Sequence, residues 1–280
     1  MFRYIRQQYR WRHAAPGCRK GTDVADALAL VTRIAEVHSI AEAWGLATGH
    51  FADLGFSRVN YGFTRFRHDK TIGDPEDALF LTTLGDDYAQ RFFHGGFYAR
   101  TPVFRWAESS TGACTWAWVR KALQDGLLSV DEQAAVRQNT AMGIVAGISV
   151  SFPAATLRTK SALGLIADVG LSDDDVEGIF ATRRDALLAV AHCLNLKIMQ
   201  LPQATRRRAL TQRQREALEW VADGKTMQDV ALLMGVSAAM VEKHLRLARI
   251  ALDVETTAQA VSKGAMLNML FLPPAPVNSN

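Results

Sequence analysis

The tripeptide Gly224-Lys225-Thr226 combines residue types that bind phosphate. It also ends the phosphate-binding loop of nucleotide hydrolases, which requires a glycine five residues before the Gly-Lys pair and a strand before the loop. Glu219 stands at that first glycine position, and the preceding stretch QREALEWVA has the spacing of a helix. The pattern argues against a nucleotide site, so we expect Lys225 to contact another kind of phosphate.

The residues around Lys225 follow the pattern of a helix-turn-helix. Thr211, Thr226 and Ser237 are helix-capping residue types, and each precedes a run of apolar residues at helical spacing. Gly235 supplies the sharp turn between the second and third helices. The positions predicted to face the core are Ala217, Leu218, Val221, Ala222, Val230, Ala231, Leu233, Val241, Leu245 and Ala248. In such a domain the third helix enters the major groove of DNA.

The outward side of the third helix and the residues that cap the helices are predicted to contact DNA. A lysine beside a helix N-terminus suits a backbone phosphate, because the free N–H groups there also attract anions. Lysine and arginine bind phosphates and guanine, whereas glutamate accepts a hydrogen bond from cytosine N4. The predicted DNA-binding residues are Lys225, Thr226, Ser237, Glu242, Lys243, His244, Arg246 and Arg249. The alternative is that the charged residues of the third helix form only a solvated face of a surface helix.

The stretch LTQRQREALEWVADGKTMQDVALLMGVSAAMVEKHL closely resembles the DNA-binding domain of the LuxR family. It contains the family's Leu-Thr-x-Arg-x-x-Glu opening, its Gly-Lys-Thr turn and its Val-Ser and Val-x-x-His-Leu third helix. Met240, Ala251 and Thr257 differ from the threonine, lysine and arginine usual in the family, so its phosphate anchors and operator sequence are not carried over. The resemblance implies that a fourth helix, TTAQAVSKGAMLNML, forms a dimer contact.

The chain before this stretch is predicted to fold as an α+β sandwich. Helical patterns at 23–55, 129–143 and 172–200 are interspersed with β-branched or alternating stretches typical of strands. That order suggests an antiparallel sheet with helices on its faces. The predicted organisation is a flexible basic arm (1–22), an α/β/α sandwich with an antiparallel sheet (23–200), a linker (201–209), a small all-α four-helix helix-turn-helix domain (210–271) and a tail (272–280).

Residues 35–190 resemble the autoinducer-binding domain of quorum-sensing LuxR regulators. The resemblance lies in FFHGGFYARTPVFRWAESSTGACTWAWV and MGIVAGISVSF, which occur in the family's order. It implies a site for an acyl-homoserine lactone between sheet and helices, where the family uses a tryptophan, a tyrosine and an aspartate. Tyr88, Phe92 and Thr101 occupy those three positions here, whereas Trp116 keeps a second family tryptophan and Gly147 a family glycine.

The three changed positions predict altered contacts to a ligand. Thr101 is neutral where a carboxylate would make a charge-assisted hydrogen bond, and Phe92 has no hydroxyl. Losing both contacts weakens lactone binding by about 3 kcal/mol, roughly a hundredfold, if nothing compensates. An aromatic pocket with a few polar groups remains a usual binding-site composition. The predicted ligand-binding residues are Tyr61, Tyr88, Phe92, Thr101, Trp116 and Ser149.

Three alternatives for the sandwich domain stay open: a non-standard small ligand, an acyl-homoserine lactone bound through altered contacts, and no ligand. In the third case the aromatic residues are only core, and the domain serves dimerisation or docks on a paralogous regulator. We expect an orphan regulator that binds double-stranded DNA at a two-fold operator as a homodimer.

Composition limits the other classes of function. The net charge of +4 and the isoelectric point of about 9.1 allow an anionic partner. Cys18, Cys114 and Cys193 form no CxxC pair and no metal-ligand spacing with histidine, so we predict no metal, no cofactor and a cytoplasmic location. We expect no membrane span, because no long apolar run is free of charge. His94-Gly-Gly echoes an oxyanion-hole motif, but without a Gly-x-Ser-x-Gly elbow we predict no enzyme activity.

Overall fold

The computed structural model describes residues 24–68, 72–154, 156–203 and 209–272. The chain divides into two compact units between Met199 and Gln200. The predicted basic arm, most of the predicted linker and nearly all of the predicted tail lie outside the described residues.

The first unit is built on a sheet of five strands, as far as the described residues show, in the order β2-β1-β5-β4-β3. Each pair of neighbouring strands is antiparallel, which confirms the predicted α+β class with an antiparallel sheet. The strands are β1 (Arg58–Thr64), β2 (Leu79–Thr82), β3 (Gly112–Thr115), β4 (Gly147–Ser151) and β5 (Lys160–Ile166).

One face of the sheet carries the hydrophobic core of the first unit. Successive side chains of a strand point to opposite faces, so Val59, Tyr61 and Phe63 of β1 share this side. They join buried apolar residues of three helices in one cluster. These helices are α1 (Val24–Glu36), α2 (Ile40–Asp53) and α7 (Asp173–Gln200).

Shorter helices cover the opposite face, to which Asn60, Gly62 and Thr64 of β1 point. The first of them continues directly into a π turn at Gln90–His94, and a 3-10 turn follows at Phe97–Arg100. The covering helices are α3 (Asp86–Ala89), α4 (Pro102–Ser109), α5 (Ala117–Gln124) and α6 (Val130–Ala141).

Side-chain caps fix where two of the covering helices begin. The Thr101 hydroxyl accepts a hydrogen bond from the backbone N–H of Phe104, and Pro102 takes the first position of α4, where a missing N–H costs nothing. A capping box begins α6. Ser129 Oγ accepts from the Glu132 N–H, and the Glu132 carboxylate accepts from the Ser129 N–H.

The second unit contains four helices within the described residues, each begun by a side-chain cap. The hydroxyls of Thr211, Thr226, Ser237 and Thr256 each accept a hydrogen bond from the N–H three residues on. Gly235 ends the second helix with a left-handed φ of 65°, which glycine adopts without strain. The helices are α8 (Gln212–Ala222), α9 (Met227–Met234), α10 (Ala238–Leu252) and α11 (Thr257–Met266).

The core of the second unit agrees with most of the predicted inward positions and corrects two. Leu233 was expected to face inward but is 48% exposed, whereas Met234 is buried. Val230 and Met234 lie four residues apart on the face of α9 that packs on the core. Leu233 therefore points to the side of the helix and not to the core. Ala222 is also exposed, because it is the last residue of α8. The predicted positions that are fully buried are Ala217, Leu218, Val230, Val241, Leu245 and Ala248.

Candidate functional site

A cavity of about 140 Å³ lies between the sheet and the short helices of the first unit. Its floor is formed by β1, β4 and β5, and Gly62 and Gly164 leave the middle of that floor without side chains. Rings form most of the remaining wall, which suits an apolar molecule. Outside β1, the aromatic residues that line the cavity are Phe80, Tyr88, Phe92, Phe93, Tyr98, Phe104 and Trp116.

The rings above the floor support one another. Tyr88 and Phe92 stack with their centroids 5.1 Å apart and an interplanar angle of 14°. Phe93 meets Phe92 edge to face at 5.0 Å and stacks on Phe80 at 4.5 Å. Aromatic pairs prefer these offset-stacked and edge-to-face arrangements. The roof of the cavity is therefore held by ring contacts that do not require a ligand.

Asn60 holds Tyr88 over the floor. Its Nδ2 donates to Tyr88 Oη at 2.8 Å, and its Oδ1 accepts from Thr82 Oγ1 at 2.7 Å. Burial raises the pKa of Tyr88 to about 12, so the phenol stays protonated at neutral pH. The phenolic proton has no acceptor among the described residues and is available to a ligand.

Ser149 holds Trp116 on the other side of the floor. Trp116 Nε1 donates to Ser149 Oγ at 2.9 Å. Gly147 allows this approach, because a Cβ there would lie 3.0 Å from the indole and 2.4 Å from the Leu165 carbonyl oxygen. Ser149, Gly164 and Asn60 are direct neighbours across the sheet. Tyr88 and Trp116 therefore flank the gap above Gly164.

Two predicted ligand residues have other roles. Tyr61 borders the cavity, but its ring belongs to the core on the other face, where Tyr61 Oη donates to Asn195 Oδ1 at 2.8 Å. Burial raises the pKa of this phenol well above its usual range. The Thr101 hydroxyl donates to the Tyr98 carbonyl at 2.7 Å and caps α4. Because both hydroxyl protons are already used, we no longer expect either residue to donate to a ligand.

Lys160 and Asn139 also line the cavity, and both were missed from the sequence. Lys160 Nζ donates to Ser151 Oγ at 2.8 Å and to the Ser110 carbonyl at 3.1 Å. Asn139 Oδ1 is buried and has no hydrogen-bond partner in the part of the chain that the structure describes. A lysine after a turn and an asparagine near the end of a helix are ordinary surface residues, so no local signal marks them.

Other kinds of site receive no support from the described residues. They contain no cluster of histidine, cysteine, aspartate or glutamate that would hold a metal ion. None of the described helices has the length and apolar character needed to cross a membrane. Cys114 and Cys193 are free, and burial raises the pKa of Cys114 to about 11, which keeps it an unreactive thiol at neutral pH. Cys18 lies outside the described ranges.

In the second unit, the outward face of α10 carries the predicted DNA-binding residues. Lys243 and Arg246 are exposed, and His244 is half-buried. Arg249 is more restrained: its guanidinium donates to Glu242 Oε1 at 3.1 Å and to Thr257 Oγ1 at 2.9 Å. Arg249 and Glu242 are therefore partners of each other, whereas Arg246 is free to reach outward.

The start of α9 brings Lys225 and Thr226 beside an acidic cap. Both residues are exposed. The Thr226 hydroxyl donates to Asp229 Oδ2 at 2.7 Å and accepts from the Asp229 N–H, so its proton is not available to a phosphate. These hydrogen bonds, followed by the Lys225 charge, lower the pKa of Asp229. Ser237 uses its oxygen to accept from the Met240 N–H at the start of α10.

Two family models match the two halves of the chain. The autoinducer binding domain matches residues 39–198, and Sigma-70 region 4 matches residues 208–252. The first match spans more than half of the chain, so the protein belongs to the autoinducer-binding family. With a helix-turn-helix after that domain, it is a LuxR-type transcriptional regulator.

Relatives that align with most of the chain are transcriptional regulators rather than enzymes. Transcriptional activator protein SolR of Ralstonia nicotianae is 24% identical over 224 residues, which cover 78% of this chain and 87% of SolR. Transcriptional activator protein TraR of Rhizobium radiobacter is 26% identical over 205 residues, or 73% and 82% of the two chains. VjbR of Brucella ovis, a quorum sensing-dependent regulator, is 23% identical over 252 residues, or 89% and 90%.

Proposed function

We propose that this LuxR-type regulator acts in the cytoplasm as a homodimer on a two-fold DNA operator, and that a small molecule in the cavity controls it. The observation that carries the ligand proposal is the gap above Gly164, flanked by Tyr88 and Trp116. Both side chains are held by polar partners, and the Tyr88 proton is unused. A ligand that binds one conformation better than another shifts the population toward it, which is how occupancy would change operator binding.

The ligand we propose is not an ordinary acyl-homoserine lactone. Phe92 has no hydroxyl, and the Thr101 hydroxyl donates to Tyr98. Tyr88 and Ser149 supply neutral hydroxyls that suit carbonyl groups, but neither replaces a carboxylate that accepts from an amide N–H. On this basis the protein is an orphan regulator, in which the lactone contacts of the family have been exchanged for other contacts.

For DNA we propose different roles for the basic residues. Lys225 and Lys243 contact backbone phosphates, whereas Arg246 reaches base edges in the major groove. Glu242 and Arg249 act as a pair that stiffens α10, because each already holds the other. Ser237 and His244 lie beside this surface and add contacts to the backbone.

Selection from a random DNA pool tests the dimeric DNA-binding role. The full chain should enrich a site with two-fold symmetry, and light scattering should find two copies on it. A single asymmetric half-site bound by one copy would contradict the proposal.

Filling the cavity tests ligand control. In Gly164→Val the added Cβ would meet only Asn60 atoms, the nearest at 3.9 Å, so the substitution occupies open space. A thermal-shift panel of acyl-homoserine lactones, fatty acids and fatty-acid methyl esters should contain non-lactone members that stabilise the native chain but not Gly164→Val. Gly178→Val on α7 is the matched control, because Gly178 does not line the cavity. Equal shifts for the native chain and Gly164→Val would count against the cavity.

A further inference from the structure

The lining of the cavity extends along the whole of β5. Its lining includes Lys160 at the first residue of this strand, Ala162 and Gly164 in the middle, and Ile166 at the last. With a rise of about 3.3 Å per residue, the backbone positions of Lys160 and Ile166 are about 20 Å apart. A cavity with this outline fits an extended chain better than a compact ring.

The Lys160 end of the cavity provides an unpaired positive charge. An ammonium group has three N–H donors, and Lys160 uses two of them on Ser151 and Ser110. Among the described residues Lys160 forms no ion pair, and the nearby Glu108 pairs with Arg67 at 3.6 Å. Burial lowers the pKa of Lys160 and Arg67 lowers it further, whereas the charge of Glu108 raises it. An anionic group at this end would take the third donor and stabilise the charge.

The Ile166 end of the cavity has a hydrogen-bond acceptor that lacks a donor. Asn139 lies in the last turn of α6, which ends at Ala141, and Gly143 is the second residue after that helix. The Gly143 carbonyl accepts from Arg58 Nη2 at 3.0 Å, and Arg58 pairs with Ile166 across the sheet. The buried Asn139 Oδ1 therefore belongs to the far end from Lys160. A ligand that places an O–H or N–H there would satisfy it.

We propose that the ligand is an elongated carboxylate amphiphile with a hydrogen-bond donor at its other end. Its carboxylate binds Lys160, its apolar chain lies over Ala162 and Gly164, and its donor reaches Asn139. This inference rests on the proposed ligand control and names the class of ligand. An ordinary acyl-homoserine lactone carries no anionic group for Lys160.

Titration calorimetry of the full chain with ω-hydroxydodecanoate and its methyl ester tests the inference. The acid should bind about tenfold or more tightly than the ester, because the ester has lost the charge-assisted bond. Lys160→Met should abolish that preference, so that acid and ester bind with similar affinity, whereas Lys160→Arg should keep it. Dodecanoate, which lacks the terminal hydroxyl, should bind more weakly than ω-hydroxydodecanoate, and Asn139→Leu should remove that difference.

The outcomes separate this inference from the proposed function. Equal affinity of the native chain for acid and ester, with both lost in Gly164→Val, would overturn the carboxylate assignment and leave ligand control intact. Retention of the acid preference by Lys160→Met would also overturn it. If the native chain stays unshifted by every compound in the thermal-shift panel, the proposed function and this inference fail together. The acid-to-ester comparison uses the native chain, so it decides the question even if a variant does not fold.

Discussion

The DNA-binding unit and the cavity-containing unit build their candidate sites in different ways. In the second unit each helix is begun by a hydroxyl that binds an N–H three residues away. In the first unit the partners that shape the cavity are distant in the chain. Asn60 and Tyr88 are 28 residues apart, Trp116 and Ser149 are 33 apart, and Lys160 and Ser110 are 50 apart.

This difference indicates how the DNA-binding surface and the cavity each respond to sequence change. A site built from local caps keeps its form as long as each short stretch keeps its capping residue. A cavity built from long-range contacts can exchange one polar group for another while its sheet stays the same. Thr101 is an example, since a threonine caps α4 at the position where the resemblance places a carboxylate.

The largest expected effect comes from disrupting the turn between α9 and α10 in the second unit. Gly235→Val forces a β-branched residue into a left-handed φ of 65°, which costs about 1–3 kcal/mol or more. We expect loss of operator binding in a gel-shift assay, with ligand binding by the first unit unchanged. Gly235→Asn is the control, because asparagine tolerates this conformation and should keep most of the binding. Normal operator binding by Gly235→Val would show that the turn is not required.

The next-largest expected effect is on the affinity of the cavity for a lactone. The double change Phe92→Tyr and Thr101→Asp returns the hydroxyl and the carboxylate that the resemblance assigns to these positions. Aspartate is also a good helix cap, so α4 should stay in place. We expect affinity for an acyl-homoserine lactone to rise by about a hundredfold, measured by titration calorimetry. No gain, with the fold intact, would mean that the lactone contacts were not lost at these residues.

The smallest effects separate the two kinds of DNA contact within the second unit. Arg246→Ala should relax sequence preference and cost about 1–3 kcal/mol on the selected operator. Lys225→Ala should weaken binding to all sequences alike and reduce the slope of log affinity against log salt by about 1. Both are read from binding isotherms at several salt concentrations. An unchanged salt slope for Lys225→Ala would remove Lys225 from the phosphate contacts.

More of the fold than of the candidate ligand site could be predicted from the sequence. Caps at Thr211, Thr226 and Ser237 located helix starts correctly, because capping is a contact within one turn. β-Branched and aromatic stretches located the strands. The inward face of α9 was misjudged at Leu233, because a helix of eight residues has too few turns to define a stripe.

The polar residues of the cavity show why the rest could not be predicted. Asn60 lies within a strand and Lys160 is the first residue of one, and nothing near them in sequence indicates that Tyr88 or Ser151 will be their partners. Asn139 differs from a surface asparagine only because the packing of α6 against the cavity buries its oxygen. Such roles follow from which strands become neighbours, which no short stretch of sequence encodes.

The most direct test measures DNA binding and its response to a lactone in one preparation of the native chain. Operator affinity is titrated with and without a micromolar acyl-homoserine lactone. We predict specific binding to a two-fold operator that the lactone leaves unchanged, because the proposed function assigns the DNA contacts to the second unit and a ligand other than a lactone to the cavity. Operator binding that tightens or weakens severalfold with the lactone would contradict this account.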